Sequence, residues 1–365
     1  MHRRPQIIPF PEDAIADFDE IVDVRSPSEY AEDHVTGAIN LPVLDDVERA
    51  AVGTIYKQVS PFEARKVGAA LVSRNIAAHL ETHFSGKGRD YRPLVYCWRG
   101  GQRSGSLALI LAQIGWEVAM IEGGYRSYRA CVLATIRERA GSLPYVVLNG
   151  YTGAGKTLLL HELAAMGEQV LDLESLASHK GSVFGANSMR PQPPQKRFES
   201  FLYDRIRAFS ADRPVFLEAE SAKIGRINLP NDLWQRMKGA PVIEIASPLA
   251  ARASYLTSDY AEWLGDGSRV ARALDRLKGF HADRSIAEWK AMAVAEDWES
   301  LVARLLSEHY DRRYPGVGDG HFQPPSVSLD LQTHDTGSVR RCACAIREHG
   351  LALARSLPAA VPLSE

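Results

Sequence analysis

The sequence has no window of eighteen uncharged apolar residues, so it predicts no membrane-spanning helix. Its start, Met1-His2-Arg3-Arg4-Pro5, leads into mixed polar sequence instead of an apolar signal core, so a cytoplasmic protein with no membrane partner is expected. Cysteine is scarce: Cys97, Cys131, Cys342 and Cys344 are the only four in 365 residues, and their spacing pairs no ligands for a metal. A cytoplasmic chain of this size needs no disulfide framework either. Cys342 and Cys344, two residues apart, read as small residues on the last helix. Charge of one sign is also missing, since 43 basic residues against 45 acidic ones leave a net charge of −2. With no global basic field, any nucleic-acid partner would have to be held by a local patch.

What is present is an ordinary globular composition, 45% apolar and 24% charged, in a chain long enough for two cores. No internal repeat is seen. Glu20 to Arg25 is a short apolar strand ending in charge, Ser26-Pro27-Ser28-Glu29 starts a helix, and His34 to Pro42 is a turn followed by a short strand. Residues 60–83 carry apolar positions at helical spacing (Ala64, Val67, Leu71, Val72, Ile76, Leu80). A strand at Pro93 to Tyr96, an apolar helix from Ser106 to Ile114 and a strand from Glu117 to Ile121 follow, then a basic helical connector from Tyr125 to Ser142. The alternation restarts with a strand at Tyr145 to Asn149 and a helix from Thr157 to Met166. Further strands are expected near Gln169, Val215 and Val242, and largely helical sequence from Asp259 to Tyr314. Strands alternating with helices imply parallel sheets, so two α/β domains are expected, residues 1–142 and 143–365.

Cys97 ends a strand and opens the loop CWRGGQRS before a helix. A glycine-rich turn, a helix N-terminus and two arginines all favour negative charge there, so a thiolate at Cys97 is stabilised and its pKa lowered. Arg99, Gly100, Gly101, Gln102, Arg103 and Ser104 form the expected oxyanion cradle. The spacing from Cys97 to Arg103 is also that of tyrosine phosphatases. Upstream, Asp23-Val24-Arg25, Glu29-Tyr30 and His34 to Pro42 resemble the rhodanese signature, and Glu122-Gly123-Gly124 resembles its closing motif. The loop of seven residues resembles the related phosphatases and arsenate reductases, which accept a tetrahedral oxyanion, so the cradle is expected to fit a phosphate-like group.

Gly150-Tyr151-Thr152-Gly153-Ala154-Gly155-Lys156-Thr157 satisfies G-x-x-x-x-G-K-[ST] between a strand and a helix, the context that a P-loop requires. Backbone N–H groups around Gly150, Gly153, Ala154 and Gly155 would cradle phosphate, Lys156 would neutralise charge, and Thr157 is available to Mg²⁺. The domain is thus expected to be P-loop NTPase-like with a helical C-terminal part. The strand at Val215 runs into Glu218 and Glu220, where a Walker B acid would sit, with Glu in place of the usual Asp. These carboxylates, and Asp172 and Glu174 after the strand at Gln169, would hold Mg²⁺, orient a substrate group or pair on the surface; no metal ligand is assigned with certainty. Arg269, Arg272 and Arg276 recur at helical spacing, either a stripe that tracks an RNA backbone or a solvated helix face.

A rhodanese-like domain, a basic linker and a P-loop domain in this order resemble the tRNA 2-selenouridine synthases. Matching segments include Val52 to Gln58, the loop CWRGGQRS, Gly123 to Arg129, the P-loop GYTGAGKT, Leu217 to Gly225 and His309-Tyr310-Asp311. The resemblance implies a transferase that replaces sulfur by selenium at the wobble 2-thiouridine of tRNA. Selenophosphate is then the selenium donor, with a selenophosphate-supplying enzyme as a further partner, and geranyl diphosphate serves an intermediate S-geranylation. It implies no DNA partner and no tightly bound cofactor. In that scheme Cys97 either takes up selenium covalently or activates it, and the P-loop holds the prenyl diphosphate. The rival expectation is an ATP-dependent RNA or small-molecule kinase fused to a sulfurtransferase domain.

Overall fold

The computed structural model describes residues 4–180, 191–313 and 321–355. It divides into two compact units, one of Met1–Thr135 with Pro194–Asp204, the other of Ile136–Pro193 with Arg205–Glu365. No helix among the described residues is long and apolar enough to cross a membrane.

In the first unit, β1 (Gln6–Ile8), β2 (Glu20–Asp23), β3 (Ile39–Asn40), β4 (Pro93–Tyr96) and β5 (Ala119–Ile121) form one sheet in the order β1-β5-β4-β2-β3. Every pairing is parallel, as the alternation of strands and helices requires. All of β4 is buried, which suits a strand with helices on both faces. The helix Pro27–Glu32 starts where expected: Pro27 presets its first turn and the Ser26 N–H donates to Glu29 at 3.2 Å. The helix Pro61–Thr82 buries Ala64, Gly68, Val72 and Ile76, a strict four-residue spacing. Val67, also apolar in sequence, is off that stripe and exposed. The helix Asp46–Gln58 was not expected from periodicity, and none of its residues is fully buried. Its start is fixed by a capping box, with the Glu48 N–H on Asp45 at 2.7 Å and the Asp45 N–H on Glu48 at 3.0 Å.

In the second unit, β6 (Tyr145–Asn149), β7 (Gln169–Leu171) and β8 (Val215–Glu218) are followed by an antiparallel hairpin of β9 (Lys223–Ile224) and β10 (Ile227–Asn228), then by β11 (Val242–Ala246) and β12 (Pro325–Asp330). The main sheet runs β12-β11-β6-β8-β7, all parallel. The chain fills one side of β6 and then the other, so the strand order reverses there. A crevice opens at the carboxyl end of such a strand, and β6 ends in the P-loop. The helices Lys156–Ala165 and Thr336–Arg355 bury Leu159, Leu160, Leu163, Val339 and Ile346 against the sheet, each worth about 1.5–3 kcal/mol. Cys342 and Cys344 lie on the latter helix, one buried and one exposed. Residues 249–313 are largely helical around Trp289, Leu274, Leu277 and Leu301, a separate core, with a π turn at Leu306–Tyr310 before the last short helix, Asp311–Arg313. The expected helical stretch ran to Tyr314, which lies outside the described residues.

Candidate functional site

In the first unit, β4 delivers Cys97 to the N-terminus of the helix Gln102–Ile114. Its Sγ accepts the Gly101 N–H at 3.3 Å and the Ser104 hydroxyl at 3.2 Å. Burial opposes ionisation of this thiol. The bonds from Ser104, the backbone N–H groups of Ser104 and Arg99, and the charge of Arg103 outweigh it, so its pKa falls below the ordinary cysteine value. The cradle residues are therefore brought together, but they differ in availability. Arg103 is engaged by Glu29 at 2.6 Å, whereas Arg99 and Gln102 are exposed at the rim. Gly100 takes φ +66°, which lets the chain turn between thiol and helix.

The loop is braced from β5. The Tyr125 N–H donates to the Cys97 carbonyl at 2.8 Å, and a Cβ on Gly124 would lie 2.6 Å from the Gly100 nitrogen, so glycine is needed there. Tyr125 stacks on Trp98 at 5.3 Å and lies under the Arg25 guanidinium at 4.0 Å. Arg25 and Asp23 form a fully buried pair at 2.6 Å, and Arg25 also donates to the Asp33 carbonyl. The Asp-Val-Arg motif thus acts as a buried support for the wall behind Cys97. It was legible as a motif, but its reach to Tyr125 and Asp33 was not.

In the second unit, the P-loop wraps the N-terminus of the helix Lys156–Ala165, capped by Gly155 at φ +87°. A Cβ on Gly155 would come within 2.8 Å of the His334 ring. Lys156 Nζ folds back on its own loop, donating to the Gly150 carbonyl at 2.7 Å. Gly150, Gly153, Ala154, Gly155, Lys156 and Thr157 all line one cavity of about 440 Å³. Glu174, Glu218 and Glu220 line it too. Asp172 does not; it caps the helix Leu173–Ala177 through the Ser175 N–H at 2.8 Å and meets His161 at 3.1 Å.

Burial raises the pKa of all three glutamates; at Glu218 the charges of Asp172 and Glu174 add to it, whereas at Glu174 a hydrogen bond with Glu220 and the charge of Lys156 oppose it. Glu220 is pushed up to about 8 by burial and then by Glu174 beside it. Glu218 accepts the Glu174 N–H at 2.9 Å through Oε1, while Oε2 is buried without a hydrogen-bond partner. Burial likewise lowers the Lys156 pKa, and the glutamates draw it back only in part.

Three features were missed in sequence. Arg252, nearly buried, pairs with both oxygens of Asp311 at 2.8 and 2.7 Å and donates to the Thr152 carbonyl of the P-loop at 3.2 Å. An apolar hollow of about 70 Å³ shares Thr152, Leu256, Tyr260 and Tyr310 with the P-loop cavity and is otherwise lined by Leu264, Val270, Leu301, Val302, Leu305 and Leu306. A trio of rings, Trp234, His321 and Phe322, lines the cavity away from that hollow. Arg269, Arg272 and Arg276 lie along the helix Gly267–Asp275 and its C-cap, outside the cavity, with Arg272 and Arg276 exposed opposite the buried Val270, Ala273 and Leu274.

Residues 12–131 match the model of the rhodanese-like domain, and residues 143–282 match the model of the tRNA 2-selenouridine synthase AAA domain. The chain is 34% identical over 321 residues to the tRNA 2-selenouridine synthase of Nitrosomonas europaea, covering 86% of this chain and 81% of that one. It is 32% identical to the tRNA 2-selenouridine synthase of a Sulfurovum species, over 80% of this chain and 87% of the other. For that of Chromohalobacter salexigens the identity is 33%, over 80% and 86%. Both domains match in order, and the identity holds across most of each relative, so this chain belongs to the tRNA 2-selenouridine synthase family.

Proposed function

We propose that this protein replaces sulfur by selenium at the wobble 2-thiouridine of tRNA, using selenophosphate, and that it does so through S-geranylation with geranyl diphosphate. The observation that carries the second clause is an apolar hollow beside the P-loop cavity, the two sharing Thr152, Leu256, Tyr260 and Tyr310 as walls. A nucleotide needs no such hollow; a diphosphate ester of a hydrocarbon does. The diphosphate rests on the backbone N–H groups of the P-loop, and Lys156 leaves the Gly150 carbonyl to meet it. The prenyl chain runs along Leu256, Tyr260 and Tyr310 into the hollow. Where Mg²⁺ joins the diphosphate, Thr157 and the unpartnered Oε2 of Glu218 are the oxygens suited to hold it. Among the described residues no group of three or more His, Cys, Asp or Glu side chains is set to hold a metal on its own, so most of its ligands would be diphosphate and water.

The thiocarbonyl sulfur attacks C1 of the geranyl group, the C–O bond to diphosphate breaks, and the base gives up its N3 proton. The alkylated sulfur is then the better leaving group. Water takes the phosphoryl group of selenophosphate as the P–Se bond breaks, leaving phosphate and hydrogen selenide; the selenium adds at C2 of the base, and its two hydrogens pass to N3 and to the sulfur that departs as geranyl thiol. The Cys97 loop handles selenophosphate: its N–H groups and Arg99 face the oxyanion, and its thiolate faces the selenium.

The test is incubation of the full-length protein with 2-thiouridine tRNA, geranyl diphosphate and selenophosphate, followed by nucleoside mass spectrometry. Lys156→Ala is expected to block the geranylated nucleoside, and Cys97→Ala to let it accumulate without selenium. Unchanged nucleoside with wild-type protein, together with ADP release from ATP, would instead support the kinase.

A further inference from the structure

The P-loop cavity has more aromatic wall than a diphosphate requires. Trp234 lies on the helix Asn231–Lys238, whose Leu233 and Met237 are buried and anchor it. Trp234 itself is only half-buried and lines the cavity with His321 and Phe322. Its ring is fixed by its neighbours. Phe322 meets it edge to face, 5.5 Å between centroids and 87° between planes, and His321 meets it at 6.0 Å and 61°. Lys238 Nζ stands 5.8 Å from the indole centroid. A large aromatic side chain held in place but left partly open offers planar contact area at little further cost in side-chain entropy. None of the three rings lines the apolar hollow, so a prenyl chain seated there leaves this wall to another ligand.

We propose that Trp234, supported by Phe322 and His321, is a nucleobase-stacking subsite that receives the 2-thiopyrimidine of the tRNA, unstacked from its neighbours, beside the diphosphate ester. The assignment rests on the geranyl-transfer reading above. Single-stranded RNA bases are taken up by stacking on aromatic side chains, because every base presents a π face. The chemistry also demands a base in this cavity: its sulfur must reach C1 of the prenyl donor while the diphosphate is still on the P-loop. A wall of rings lining the same cavity as the P-loop glycines meets that demand. The purine of a nucleotide held on the P-loop would have the same ring chemistry, so the experiment must separate the two sources.

Full-length wild type, Trp234→Ala, Trp234→Phe and Phe322→Leu are titrated separately with an anticodon stem-loop carrying 2-thiouridine, with geranyl diphosphate and with ATP. Trp234→Ala is expected to weaken stem-loop binding by roughly 5- to 150-fold, the range that one stacked base supplies. Trp234→Phe retains most of the affinity, Phe322→Leu loses part of it, and geranyl diphosphate binds all four proteins alike. Equal stem-loop affinity for wild type and Trp234→Ala overturns the proposal, and so does a loss confined to ATP. If wild type fails to bind geranyl diphosphate, the geranyl-transfer reading falls, while the stem-loop series still decides whether the rings hold the base.

Discussion

Replacing Ser104 by alanine removes one of the groups that hold the Cys97 thiolate. The Ser104 hydroxyl lies 3.2 Å from Sγ and its residue is fully buried, so no bulk water takes its place. A hydrogen bond to a charged group contributes about 1.5–3 kcal/mol, and 1.36 kcal/mol corresponds to one pKa unit. The Cys97 pKa should therefore rise by about one to two units in Ser104→Ala. The direction is upward because the lost bond favoured the ionised form, leaving burial less opposed. The assay is the pH dependence of iodoacetamide alkylation, read on the peptide that contains Cys97 so that Cys131, Cys342 and Cys344 do not contribute. At neutral pH the variant should alkylate more slowly and recover at high pH. If the midpoint does not move, the remaining donors, Gly101 N–H and the helix N-terminus, carry the stabilisation and the account of Ser104 is refuted.

Other consequences are equally open to measurement. Asp311→Ala leaves the Arg252 guanidinium buried without its partner; the expected loss is about 3–5 kcal/mol, visible as a lower Tm, with weaker diphosphate binding because Arg252 also holds the Thr152 carbonyl. His309 is nearly buried, and burial, followed by the charges of His281 and Arg313, lowers its pKa from 6.5 to about 4. The unfolded chain therefore binds the proton more readily between those values, so stability should fall as pH drops through that window, by about 2 kcal/mol at pH 5. His309→Phe should flatten this limb in denaturant titrations at several pH values. Trp289→Ala, in the core of the helical part, should cost about 3–5 kcal/mol in denaturant melts.

Both loops were legible because their chemistry is written in contiguous residues: a strand end, glycines, a cation and a helix start. The acids were legible only as candidates. Asp172 and Glu174 are two residues apart, yet the turn into the helix Leu173–Ala177 makes one a cap and puts the other on the cavity wall. Nothing in a local window distinguishes them. Arg252 and Asp311 come from segments fifty-nine residues apart, so their pairing depends on helix packing and not on any motif. The apolar hollow was invisible for a related reason: Leu256, Val270, Leu301 and Leu305 have the spacing of any core-facing helix, and only the packed structure leaves space between them. The helix Asp46–Gln58 escaped a search for periodicity because it buries no residue fully, although Asp45 and Glu48 carried its start signal.

The two loops settle the contest between burial and charge in opposite ways. At Cys97 the thiol is buried, but donors converge on one sulfur atom, and they outweigh the cost of removing it from water. At the P-loop, Glu174, Glu218 and Glu220 share one cavity with Lys156 and Lys180, and burial prevails: it raises the pKa of each acid, that of Glu220 to about 8. That outcome suits an anion. An ionised Glu220 would repel a diphosphate that the P-loop is shaped to hold, whereas a protonated one can donate a hydrogen bond to it. Removing one acid should consequently help binding at high pH more than at low pH. With Glu220→Gln, diphosphate affinity should be unchanged below pH 8 and should exceed wild type above it, where wild-type Glu220 ionises. A wild-type affinity that stays flat through that pH, measured by calorimetry with inorganic diphosphate, would mean that Glu220 does not face the bound anion.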